Sequence, residues 1–174
     1  VVVEAVSTPI DFAEMVREHQ HMVFSLALHF LRDRESAEEV AQDVFLHLHQ
    51  KLNDLESVDH VKFWLRRVAT HRCIDEARRR KLRPNFNLED IPEPAAHRTQ
   101  SDFLLRDQLG RLIAALPERA RMMVLLRYQE DMDPAEIAAV AGVPLSTVKS
   151  LLHRSIHTLR TKMERRLQKQ EARQ

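Results

Sequence analysis

Lys149, Ser150, His153, Arg154, His157 and Arg160 recur at helical spacing along one side of a segment near the C-terminus. Val148, Leu152, Ser155, Leu159 and Met163 recur along the other. Cations and small hydroxyls on an exposed helix face neutralise phosphates and reach base edges, which is binding chemistry rather than bond-making chemistry. A second row of cations lies upstream. Between Lys62 and Arg83 there are nine Lys/Arg against Asp75 and Glu76, and between Val143 and Lys169 seven against Glu164 alone. The stretch from Glu35 to Asp59 is acidic, so a formal net charge of +1 hides a strong segregation of sign. Such segregation points to different faces meeting different partners.

The elements that must position these residues follow from caps and periodicity. Pro117 and Glu118 open one helix, with Met122, Leu125 and Leu126 giving it an apolar side and Arg127 near its end. Asp133-Pro134-Ala135-Glu136 reads as a capping box with proline at the first helical position, starting a short helix that carries Ile137, Ala138 and Val140 inward. Ala141-Gly142-Val143 is a turn in which Gly142 can take positive φ. Ser146 and Thr147 then cap the basic helix. A helix–turn–helix whose second helix exposes cations is the geometry that enters a major groove, with Lys149, Ser150, His153 and Arg154 as base-edge or phosphate candidates and Arg127 as a backbone clamp. The competing reading is a plain helical bundle with a solvated basic face.

Upstream, Ile10 to Leu31 describes one long or two short helices, and Ser36-Ala37-Glu38-Glu39 a capping box for the next, with Val40, Val44, Leu48 and Leu52 as its stripe. Asn53–His60 is a polar loop, and Val61–Arg83 a long helix burying Leu65, Val68 and Ala69 and ending in cations. Pro84–Gln100, with three prolines and Glu89, Asp90 and Glu93, is a semi-extended linker. Leu105, Leu109, Leu112, Ile113 and Leu116 face the core of a second helical unit. The predicted fold is all-α: one small helical domain over 10–83, a flexible linker over 84–100, and a helix–turn–helix domain over 101–170.

Composition narrows the function. Two glycines in 174 residues leave no room for a phosphate-cradling loop, and neither a nucleophile motif nor a clustered carboxylate pair is present, so no catalytic residue is assigned. His19/His21 and His47/His49 are spaced two apart and diverge on a helix, so neither a metal nor any other cofactor is expected. The single Cys73 excludes an intrachain disulfide, and reads as a packed thiol in a reducing compartment. No apolar run is long enough to span a bilayer and the opening Val1-Val2-Val3-Glu4 is no signal peptide, so a cytoplasmic protein without membrane insertion is expected.

Four stretches together resemble a bacterial sigma factor of the small, two-domain extracytoplasmic-function type, and the likeness runs from Phe12 to about Leu167. They are Ser36-Ala-Glu-Glu-Val-Ala-Gln-Asp-Val-Phe-Leu-His-Leu, Phe63-Trp-Leu-Arg-Arg-Val-Ala with Ile74-Asp-Glu-Ala-Arg-Arg, Leu116-Pro-Glu-Arg with Val124-Leu-Leu-Arg-Tyr, and Glu136-Ile-Ala with Thr147-Val-Lys-Ser. The resemblance implies a subunit that binds core RNA polymerase through its β′ clamp helices and its β subunit, recognises −10 and −35 promoter elements, and helps open the duplex. It also implies an anti-sigma factor, and a linker passing near the RNA exit path. Within it, Glu39, Gln42, Asp43 and Leu46 would meet polymerase, since an apolar residue among acids suits protein better than DNA. The loop Asn53–His60 with Lys62, Phe63, Trp64, Arg66, Arg67, His71 and Arg72 would hold an unpaired strand and wall a pocket for one extruded base, while Arg78, Arg79 and Arg80 grip phosphates. Trp64 could equally be a core aromatic, and Arg78–Lys81 a solvated helix end. Two positions depart from the family: His71 stands where Asn is usual, and Leu151 where Arg follows Thr-Val-Lys-Ser. A free-standing helix–turn–helix regulator, its N-terminal part sensing or dimerising, is the alternative.

Overall fold

Capping chemistry decides where each helix begins. The computed structural model describes residues 10–82 and 100–171, so the Val1–Pro9 tail, Arg83, the acidic linker and the Leu105 side chain lie outside the described residues. Seven α-helices are described: α1 (Phe12–Leu31), α2 (Arg34–Lys51), α3 (Val58–Lys81), α4 (Gln100–Ala114), α5 (Glu118–Tyr128), α6 (Pro134–Ala141) and α7 (Leu145–Glu171). Asp11 caps α1 through the Ala13 N–H, and a single helix runs to Leu31 where two short ones were also open. Helix α2 starts at Arg34 rather than at the Ser36 box, because the Asp33 carboxylate accepts the Ser36 N–H at 3.0 Å and draws one more turn into the helix. Ser57 does the same for α3 by accepting the His60 N–H, so the polar loop contracts to a 3-10 turn, Leu52–Asp54, and three linking residues. The capping box at Asp133 is formed as expected, with both Ala135 and Glu136 N–H groups on Asp133 and the Glu136 carboxylate returning to the Asp133 N–H. Gly142 sits at φ 65°, where an L side chain would be strained. Helix α7 begins at Leu145, its first N–H bonds reaching the Pro144 carbonyl, so Ser146 and Thr147 lie within the first turn instead of capping it.

Helices α1–α3 make a first lobe and α4–α7 a second. In the first, Met15, Val23, Leu26 and Phe30 of α1, Val40, Val44 and Leu48 of α2, and Val61, Leu65 and Ala69 of α3 are buried together. In the second, Leu112, Leu116, Ala120, Val124 and Leu159 form a smaller cluster; Leu109 is 40% exposed, so the expected α4 stripe is narrower than the sequence pattern. The lobes are not separate beads. Met122, Met123, Leu126, Met132, Ile137, Val140 and Val148 belong to the same cluster as the first lobe's core, and α5 and α6 both pack against α3. Among the described residues no single helix is long and apolar enough to cross a membrane.

Asp33 joins this frame to a charge. Burial raises its carboxyl pKa, but hydrogen bonds from Ser36 and the nearby Arg80 guanidinium outweigh that and hold it below the ordinary value. A depressed folded-state value means the stabilisation is complete above the ordinary carboxylate range and fades as pH falls through the folded value. Asp33→Ala is therefore expected to cost about 1 kcal/mol at neutral pH. Urea unfolding should show the gap between variant and parent closing as the solution is acidified below pH ~4.

Candidate nucleic-acid interface

Helix α7 projects its basic side away from both cores. Val148 and Ser155 are buried and Leu152, Leu159 and Met163 face inward, which leaves Ser146, Lys149, Ser150, His153, Arg154, His157 and Arg160 exposed on the opposite side. Thr147 is half-buried. The chain bends by 112° between α6 and α7 at Gly142, within the range that lets a recognition helix stand clear of its support. Lys149, Ser150, His153 and Arg154 line one open concavity, and the Arg154 Nε donates to the Ser150 carbonyl at 3.2 Å, fixing the root of that side chain. Arg127 is placed differently. Its Nη1 donates to the Met132 carbonyl at 3.0 Å, so it braces the turn between α5 and α6 instead of standing out as a clamp.

A second concavity runs along α3. It encloses about 360 Å³ and is lined by His60, Phe63, Trp64, Arg67, Val68, His71, Arg72 and Asp75. Aromatic and imidazole rings, cations and one carboxylate thus line one groove. Trp64 packs on the first lobe's core and also lines the groove. His71 is exposed, and its Nδ1 donates to the Arg67 carbonyl at 2.7 Å, leaving Nε2 for an incoming group. Arg72 donates to His47 Nε2 at 2.7 Å, while His47 Nδ1 donates to the Asp43 carbonyl at 2.8 Å; this fixes the His47 tautomer and links α2 to the groove. Of the Asn53–His60 loop expected to wall the pocket only His60 lines it, from within α3, and Asp75 was not among the residues assigned from sequence. Asp75 was legible as one turn beyond His71, but a carboxylate amid cations gave no reason to include it.

The remaining cations divide by exposure. Lys62, Arg67, Arg78 and Arg79 are exposed, with the Arg79 Nε on Glu76 at 2.8 Å. Arg66 is turned the other way: its Nη2 meets Glu130 Oε2 at 3.3 Å, and the two side chains are 17% and 8% exposed. Arg80, 11% exposed, pairs with Asp33 at 3.6 Å and donates to the Leu31 carbonyl. Neither is brought to the groove. On α2, Glu39, Gln42 and Asp43 are exposed and Leu46 is 54% exposed, so an apolar side chain stands in water among acids.

Two histidines and the thiol are placed by packing. His19 is buried, and burial pushes its pKa below the ordinary value, with Glu18 opposing and Lys62 and Arg66 reinforcing the shift. His21 is exposed, and His49 meets the Phe12 ring edge-on at 5.0 Å. No group of three His, Cys, Asp or Glu among the described residues is placed to hold a metal ion. Cys73 is wholly buried and its thiol is pushed up by burial, then by Glu76.

Both lobes have known counterparts. The sigma-70 region 2 model matches residues 15–83, and the sigma-70 region 4 model residues 106–159. The ECF RNA polymerase sigma factor SigF of Caulobacter vibrioides is 32% identical over 152 residues, spanning 80% of this chain and 80% of that protein. The chain belongs to the extracytoplasmic-function sigma factors. SigW of Bacillus subtilis is 24% identical over 171 residues, covering 87% of this sigma factor and 88% of its own length. The sigma factor RpoE from Bartonella quintana, solved in complex with the anti-sigma factor NepR, shares the fold with a TM-score of 0.71 over 88% of this chain and 97% of that one, at 19% identity. The activity of such a protein is promoter recognition in association with RNA polymerase, and a free-standing regulator is not favoured. In this sigma factor the two departures from the family separate: His71 lines the α3 groove, whereas Leu151 is half-buried and packs against both apolar clusters.

Proposed function

We propose that α7 reads the −35 element in duplex form, that the α3 groove holds an unpaired base of the −10 element, and that the exposed face of α2 docks on core polymerase. The observation that carries this reading is the single-sided display of Lys149, Ser150, His153 and Arg154 on a helix set at a steep bend from its support. A helix of that shape offers its first turns to a major groove, where Arg and Lys pair with guanine and Ser positions the backbone. The α3 groove supports the second part, because a stacking surface of Phe63, Trp64 and His71 beside Arg67 and Arg72 suits a base and its phosphate. Arg78 and Arg79 continue that row. Glu39, Gln42, Asp43 and Leu46 suit a protein partner, since acids repel DNA and an exposed leucine gains from being covered. The protein is read as a binding subunit without catalytic chemistry, working in the cytoplasm. An anti-sigma factor is proposed as a further partner, since the Bartonella relative was solved with one.

Run-off transcription with core polymerase on genomic fragments tests the whole reading, and no change in transcript starts on adding the protein would defeat it. Lys149→Ala and Arg154→Ala should each weaken upstream-element binding by ~1–3 kcal/mol while polymerase association persists. Gel shifts of the holoenzyme on promoter fragments measure that, and unchanged binding would reject the α7 assignment. Charge reversal in Asp43→Arg should reduce co-purification with core polymerase; an undiminished pull-down rules out the α2 face. Trp64→Ala should impair bubble formation more than closed-complex formation, provided circular dichroism shows the variant folded. Permanganate footprints identical to those of the parent would count against the groove.

A further inference from the structure

The arginines of α3 differ in what holds them. Arg66 meets the Glu130 carboxylate at 3.3 Å, Arg79 that of Glu76 at 2.8 Å and Arg80 that of Asp33 at 3.6 Å, while Arg78 lies 4.0 Å from Asp75. These carboxylates offset the charge of the arginines they hold. Arg72 is held otherwise. Its Nη2 donates to His47 Nε2 at 2.7 Å and lies 3.4 Å from Nδ1, so the guanidinium rests against a neutral imidazole ring. The Asp43 carboxylate stands further off, 3.9 Å from Arg72 Nη1, and the two side chains are 39% and 56% exposed. Water screens an ion pair of that kind, so the bond to the ring sets where the guanidinium points.

The ring is itself fixed. Its Nδ1 donates to the Asp43 carbonyl at 2.8 Å, one turn earlier on α2, which leaves the Nε2 lone pair for Arg72. Val44 and Leu48 on the same helix are fully buried, so the backbone that carries His47 is anchored to the first lobe's core. Arg72 in turn lines the α3 groove together with Phe63, Trp64, Arg67 and His71. An arginine that swings in solvent loses rotamer freedom when it settles on a phosphate, and one already held loses less. A neutral acceptor supplies that restraint without cancelling the charge, and the guanidinium keeps further N–H donors for a strand.

We propose that His47 is a positioning residue for strand binding: from α2 it holds the Arg72 guanidinium, with its charge intact, at the α3 groove, where Arg72 meets the phosphate of the base held there. The inference rests on the strand-holding role of that groove. His47 touches no nucleotide and acts through Arg72. The feature it needs is an acceptor at the Nε2 position. Glutamine can place its amide oxygen there, whereas the shorter asparagine reaches only the Nδ1 position. With the acceptor gone, the Asp43 carboxylate is the remaining partner on α2, and it draws Arg72 out of the groove.

The test titrates holoenzyme, assembled from core polymerase and each full-length variant, with a fluorescent single-stranded oligonucleotide carrying the −10 element of a promoter the parent opens. Arg72→Gln and His47→Leu should each weaken binding roughly fivefold, and the double variant should bind no worse than Arg72→Gln alone. His47→Gln should stay within about twofold of the parent, while His47→Asn should match His47→Leu. A merely structural role for His47 would cost the same with or without Arg72 and would not separate Gln from Asn; either outcome overturns the positioning. Should His47→Leu fail to fold, His47→Asn carries the comparison. Weakening by Arg72→Gln but not by the His47 variants rejects the inference and leaves the groove reading standing. Parent-like binding by Arg72→Gln rejects Arg72 as a strand contact, and the inference with it.

Discussion

Ala120 and Val124 of α5 pack into the second lobe's cluster, while Met122, Met123 and Leu126 join the cluster built by α1–α3. Between these faces Arg121 reaches the Phe30 carbonyl at 2.8 Å and the Leu116 carbonyl at 3.3 Å, also bonds the Ala114 carbonyl, and lies 5.1 Å from the Phe30 ring centre. One guanidinium therefore serves the carbonyl ends of α1 and α4, which would otherwise lack partners. Burial lowers its pKa, with Glu118 opposing and Arg32 reinforcing, yet an arginine remains charged across any physiological range. A cation placed there is tolerated only because several carbonyl dipoles converge on it. Removing it would strand those groups, and the two lobes would lose their common reference.

The functional faces are arranged around that junction without being part of it. The α7 display depends on the capping box at Asp133, on left-handed Gly142 and on Val148 seating the helix against the core. The α3 groove depends on Trp64 and Val68, which are held from behind by the first lobe. The exposed face of α2 and the groove also share a hydrogen-bonded link, from the Asp43 backbone through the His47 imidazole to Arg72. Rigid local geometry at each face and a polar seam between lobes can thus coexist in one small chain.

What could be read from the sequence was whatever is encoded within about one turn. The Asp133 box, the positive φ at Gly142 and the α7 stripe followed from short-range spacing, because the groups that satisfy the backbone there are three or four residues away. The start of α2 was misplaced by the same logic, since both Asp33 and Ser36 are capping residues and only the geometry shows the first accepting from the second. Helix α5 showed only one apolar stripe, and its burial on nearly every side emerged once a second lobe lay against it. Arg66 and Glu130 lie 64 residues apart, and no local pattern connects them. Arg66 consequently read as one more strand-gripping cation. The Leu151 departure was legible as a lost cation but not as a gained packing residue, which depends on the meeting of two clusters.

The methionines of α5 carry a last implication. Met122 and Met123 are almost wholly hidden in the one apolar cluster that both lobes build, so their oxidisable thioethers are shielded for as long as that cluster stays packed. The packing that joins the lobes therefore also guards the softest side chains of the core.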